Sequence, residues 1–167
     1  MAQKTIPSGA RRLAKTDYRN LMRRRIRRIL LICSSYDAYT LEEDGRLEVQ
    51  LNHEYMELNL SNPPSFTRVS SSTEALELLQ GENDFDLVIS MFNVGDLDVF
   101  HFSKQLKALH PEIPFVLLTN FSKDIYRRIE GEDRSAIDYI FSWHGNADLI
   151  LAIVKLIEDR MNADDDI

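Results

Sequence analysis

Four histidines, one cysteine and several serines are the side chains of this 167-residue sequence best suited to nucleophilic or metal chemistry. His53 and Glu57 stand four apart, a spacing that puts an imidazole and a carboxylate on one helix face, where they could chelate a metal. No third ligand accompanies them in sequence, so they read as a surface pair. Ser34, Ser70, Ser71, Ser72 and Ser90 offer hydroxyls, but no histidine and aspartate stand at a spacing that marks a nucleophilic triad. His144 follows Trp143 and reads as a packing or loop residue rather than a catalyst. Cys33 is the single thiol, which excludes an internal disulfide and a cysteine-based zinc site. The six glycines form no phosphate-cradling motif. No metal or cofactor is expected.

Charge is the other signal. Residues 1–30 carry ten Lys/Arg against Asp17 alone, whereas the remaining 137 residues carry ten against 26 acids. This reads as a basic arm on an acidic body. The composition, 44% hydrophobic, is enough for one buried core. No apolar run approaches the ~18 residues of a membrane span, and the N-terminus has no apolar core of a secretory signal. A cytoplasmic protein follows from these features, with no membrane partner.

The elements that must position any site alternate in type. Residues 1–15 read as a flexible tail. Thr16 or Asp17 caps a basic amphipathic helix over 16–28, with Tyr18, Leu21, Met22 and Ile26 on one face and Arg19, Arg23, Arg24, Arg27 and Arg28 mostly off it. Ile29–Cys33 is a short buried strand. A long segment, Tyr36 to Leu60, carries a helical stripe of Leu47, Leu51, Tyr55 and Leu58, ended by Pro63-Pro64. Phe66–Val69, Leu87–Met91, Pro114–Thr119 and Ala136–Phe141 are further strands. Helices are expected over Ser72–Leu79, Phe100–Leu109, Ser122–Glu130 and from Asn146 to about Met161, leaving 162–167 as an acidic tail or linker. The order predicts an α/β fold, a doubly wound five-stranded parallel sheet covered on both faces. Ligand sites in such sheets lie beyond the carboxyl ends of the strands, here Cys33–Ser35, Met91–Val94, Thr119–Asn120 and Ser142–His144.

Several phrases resemble the response-regulator receiver domain, a flavodoxin-like fold: Val69–Leu79, Phe85–Ile89, Ile113–Thr119 and Ala136–Tyr139; with the order of the elements, the resemblance covers about residues 28–160. A working receiver resembles a small phosphotransferase acting on itself. The resemblance implies an acid pair after the first strand to hold Mg²⁺, an aspartate nucleophile after the third, a hydroxyl after the fourth and a lysine after the fifth. Metal and lysine would offset the charge of the phosphoryl oxygens. On this chain the acid pair falls on Cys33 and Ser34, the nucleophile on Met91 and the lysine on Ser142; only the hydroxyl, Thr119, remains. Thr119 lies 28 residues beyond Met91 and Ser142 lies 51 beyond it, which suits the family layout. Asp98 matches a loop aspartate of receivers that does not take the phosphoryl group. A thioether is neither a phosphoryl acceptor nor a Mg²⁺ ligand, so the resemblance implies a pseudo-receiver.

Tyr36–Arg46, Asn62–Thr67 and Ser135–Tyr139 also resemble receiver-like modules at the start of phosphoenolpyruvate synthase-like proteins. The leading expectation is a non-enzymatic regulatory or interaction module, binding a protein partner or a downstream enzyme domain. Tyr55 and Leu58 offer a partner or homodimer surface. Two alternatives are a nucleic-acid-binding regulator that uses the basic helix, and a phosphorylated receiver whose acids lie elsewhere.

Overall fold

The computed structural model describes residues 25–36, 52, 53, 56, 63–81, 84–92, 98–120, 122–144 and 147–165. Two compact units are distinguished: Ile26–Leu151, and Met1–Arg25 with Ala152–Ile167. The first contains the sheet. Its strands are β1 (Arg28–Ile32), β2 (Ser65–Val69), β3 (Leu87–Met91), β4 (Phe115–Thr119) and β5 (Tyr139–Ser142), all parallel, in the order β2-β1-β3-β4-β5.

The pattern of burial explains this order. Every residue of β3 and β4, and Ile29–Ile32 of β1, is buried. A strand buried on both faces reads as a continuous β-branched and leucine run, and these three strands are such runs. The half-exposed strands β2 and β5 take the edges. On β5, Tyr139 and Phe141 project to the same side and stack at 6.0 Å. Helices α1 (Ser72–Gln80), α2 (Val99–Leu109), α3 (Lys123–Glu130) and α4 (Ala147–Asp165) follow β2, β3, β4 and β5. Residues 35, 36, 52, 53 and 56 are also helical.

Polar side chains start the helices. Ser71 Oγ accepts the Glu74 amide, while the Glu74 carboxylate accepts the Ser70 amide. Asp98 accepts the amides of Phe100 and His101 to start α2, and Ser122 accepts the Ile125 amide to start α3. His110, at the end of α2, reaches the Leu79 carbonyl of α1 at 2.6 Å. A carbonyl only accepts, so Nε2 carries the proton there.

Two aspartates fasten the amino-terminal edge of the sheet by the same device. The Asp86 carboxylate, just before β3, accepts the Arg27 and Arg28 amides at the start of neighbouring β1 at 2.8 and 3.0 Å. The Asp138 carboxylate, just before β5, accepts the Phe115 amide at 2.8 Å and the Lys107 ammonium at 2.6 Å. In each case the aspartate's own amide donates back to the same neighbouring strand, to Arg28 and Phe115 respectively. Each carboxylate thus extends the ladder by one bond where the strands begin.

Several expected boundaries move. The basic helix does not reach Arg28: residues 25–27 have no regular structure and Arg28 already belongs to β1, because Asp86 holds both amides in the sheet. Its remainder, residues 16–24, lies outside the described residues, as do the tail and most of the segment 36–60. The fifth strand begins at Tyr139 rather than Ala136, since the Ile137 amide closes a turn on Arg134 and Asp138 is taken up by its clamp. The last helix continues to Asp165, so the expected tail is largely helical. Among the described residues, no helix is long and apolar enough to cross a membrane.

Replacing Asp86 or Asp138 with alanine should each lower the unfolding free energy by about 1–3 kcal/mol, because two donors lose a charged acceptor. Asparagine should cost less. Urea midpoints at constant m-value measure both. Asp133, which accepts the Ser135 amide and pairs with Lys104, has its pKa lowered to about 2 from 3.8. A depressed acid stabilises the fold above its unfolded pKa, so this contribution should be lost as pH falls from 3.8 towards 2, readable by NMR titration of the Asp133 carboxyl.

Candidate functional site

The chain crosses from edge strand β2 back over β1 to β3, so β1 and β3 flank the point where the winding reverses. Crevices at such a point, beyond the carboxyl ends of the strands, are where open α/β sheets bind ligands. The structure brings all five expected pocket residues to this edge. Met91, Thr119 and Ser142 are the last residues of β3, β4 and β5, and Cys33 and Ser34 follow β1 directly. Ile32 pairs with Ser90, one residue short of Cys33 and Met91; Thr119 pairs with Ser142.

Their surroundings differ from those of a wet, charged pocket. Cys33, Met91 and Thr119 are only 2%, 3% and 2% exposed, and Ser34 and Ser142 are half-buried. The Cys33 amide donates to Val69 and the Phe92 amide to Leu118, so the ladder continues past both strand ends. Phe92 is buried beside Met91, with its ring edge-on to Phe100 at 6.2 Å and the Arg128 guanidinium 5.6 Å from its centroid. Thr119 Oγ1 donates to the Asn120 carbonyl at 3.2 Å, which satisfies the hydroxyl within the protein. Ser142 Oγ lies 3.0 Å from His144 Nε2, at an exposed rim. The Trp143 amide donates to Thr119 and carries the β4–β5 ladder one step further.

The donor set is therefore a thiol, a thioether, three hydroxyls and an imidazole. Among the described residues, no three His, Cys, Asp or Glu side chains gather at metal-binding spacing. Asp98, the nearest described carboxylate after β3 in sequence, is occupied in capping α2. Arg27 and Arg28 sit at the opposite, amino edge of the sheet, where the Arg28 guanidinium covers the Phe85 ring at 5.1 Å. Arg19, Arg23, Arg24, Tyr55 and Leu58 lie outside the described residues. His53 is exposed on a helical residue, and Glu57 is not described. Sequence reading did not pair Ser142 with His144. Their spacing of two, across the end of a strand, was the available signal, since such residues project to one side.

No protein-family model matches the chain, and no curated protein does. Solved structures do. A streptococcal redox sensor, described as evolved from two-component response regulators, superposes with a TM-score of 0.63 at 18% identity over 84% of this chain and 54% of that one, so this chain spans about half its length. A receiver-domain protein from Clostridium thermocellum gives 0.58 at 16% identity over 83% and 98%. A Rhodopirellula baltica chain described as adenylate cyclase gives 0.59 at 14% identity over 84% and 96%. Likeness at these identities establishes the fold: a five-stranded parallel α/β sheet of the receiver type.

Placing an aspartate at Met91 should destabilise the protein by about 2 kcal/mol at pH 7, since burial at that position penalises the charged form of a carboxylate. Burial raises the pKa of such a group, so the penalty should shrink as the pH is lowered. Met91→Leu should cost under about 1.5 kcal/mol. Urea unfolding at pH 5 and pH 7 separates the two.

Proposed function

We propose that the protein is a receiver-fold regulatory or protein-interaction module that works without aspartyl phosphorylation. One observation carries this reading. Met91, which ends β3 where the receiver resemblance would put the phosphoacceptor, is a buried thioether beside Phe92, and that resemblance would put the metal-binding acids at Cys33 and Ser34. In-line phosphoryl transfer needs a carboxylate nucleophile and a cation to neutralise the oxygens. Ser142, in the lysine's position, supplies no charge and is engaged with His144. The module binds rather than catalyses, and its working surface is formed by helices and loops around the sheet.

The partner in this reading is a phosphoenolpyruvate synthase-like enzyme, supported by the phrases Tyr36–Arg46, Asn62–Thr67 and Ser135–Tyr139. The partner would read the module as a fixed shape, because no covalent event at Met91 is available to switch it.

Trp143 is the only tryptophan and its backbone is tied to Thr119, so its emission reports on the carboxyl edge. Beryllofluoride with Mg²⁺, which mimics an aspartyl phosphate, should change neither that emission nor the melting temperature. A saturable change in either would mean that a phosphoacceptor exists and the reading is wrong.

A further inference from the structure

Ser142 and His144 form a pair that a binding module does not need. They stand two apart across the end of β5, so their side chains project to the same side of the strand. Ser142 Oγ lies 3.0 Å from His144 Nε2, within hydrogen-bond reach. Ser142 is half-buried and His144 exposed, so the pair is open to a small molecule at the carboxyl edge. With its own proton on Nδ1, the imidazole accepts the serine proton at Nε2. A hydroxyl held against a neutral imidazole is the arrangement that turns serine into a nucleophile.

The edge position of β5 adds a third group. Amides along a strand turn alternately to its two sides. Trp143 donates its amide to Thr119 of β4, so the amide of Ser142, one residue earlier, turns to the outer side, where the sheet has no further described strand. A nucleophile's own N–H on that open side is placed to donate to the oxyanion of an acyl group under attack. A transferring phosphoryl group is a poorer match, because Cys33, Ser34, Met91 and Thr119 carry no formal charge to offset its oxygens.

We propose that Ser142 is an acyl-accepting nucleophile with His144 as its base, and that the donor is an ester or thioester with a good leaving group. Ser142 Oγ bonds to the carbonyl carbon while its proton passes to His144 Nε2. The bond from that carbon to the leaving oxygen or sulfur then breaks. Its electron pair stays on the leaving group, and His144 passes the proton on to it. The chain is left with an ester at Ser142. This goes beyond the regulatory reading and does not rest on it: the module gains a covalent state at the end of β5 that Met91 cannot supply at the end of β3.

Addition of p-nitrophenyl acetate to the full chain tests the proposal, with p-nitrophenolate followed by absorbance and the acetyl group located by peptide mass mapping. The wild type should release a burst of one p-nitrophenolate per chain and carry its acetyl group on Ser142. Ser142→Ala should abolish the burst, and His144→Gln should slow it on the order of 100-fold. Far-UV circular dichroism checks that both variants fold, and the wild-type peptide map is decisive even if one does not. An acetyl group absent from Ser142, or spread evenly over Ser142 and exposed serines such as Ser65 and Ser70, overturns the proposal. So does a burst that a folded His144→Gln leaves unchanged, which would make Ser142 an ordinary surface hydroxyl. Neither result alters the outcome of the beryllofluoride test, which concerns Met91.

Discussion

Burial of the three central strands on both faces is the constraint from which the rest follows. β1, β3 and β4 have almost no exposed side chain, so their backbone groups must pair with neighbouring strands. Helices must also cover both faces. A sheet under that requirement leaves only its two ends for polar chemistry. The polar groups that these three strands can offer to a ligand therefore lie at the amino-terminal and carboxyl-terminal edges, and this protein treats the two edges differently.

At the amino edge, carboxylates are structural. Asp86 and Asp138 each bind backbone amides of an adjacent strand, and Lys107 joins the second clamp. Lys107 also donates to the Ile113 carbonyl, which ties α2 to the turn before β4. At the carboxyl edge, where open α/β sheets bind ligands, Cys33, Ser34, Met91, Thr119 and Ser142 are side chains without formal charge. Cys33, Met91 and Thr119 are enclosed, and the hydroxyls of Thr119 and Ser142 are satisfied by close neighbours in sequence. The edge is packed and hydrogen-bonded much as the core is.

How far the sequence could be read depended on how local the cause was. β3 is legible to the residue, because Leu87–Met91 is a largely apolar run preceded by Asp86 and followed by the turn-forming residues Asn93 and Gly95 in the sequence. α1 and α3 are legible from Ser71 and Ser122, whose side chains cap them through bonds of short sequence separation. The start of β5 is not legible in this way. Ala136 and Ile137 are as apolar as the strand itself, and only the long-range bond from Phe115 to Asp138 sets where pairing begins. The end of the basic helix fails for the same reason. Arg27 and Arg28 fit an amphipathic pattern locally, but Asp86, 58 residues from Arg28, holds their amides in the sheet.

The residue types at the strand ends were settled by the sequence alone: a thioether, a thiol and hydroxyls are what they are in any fold, and none can serve as an aspartyl phosphoacceptor. The sequence also determined the alternation of strands and helices, because burial on two faces leaves its mark in runs of β-branched residues and leucine. The tertiary structure decided that Cys33, Met91, Thr119 and Ser142 meet at one edge in register, that Met91 is enclosed rather than presented to solvent, and that Ser142 is engaged with His144. Those facts depend on strand pairings between residues far apart in the chain, and spacing along the chain carries no direct record of them.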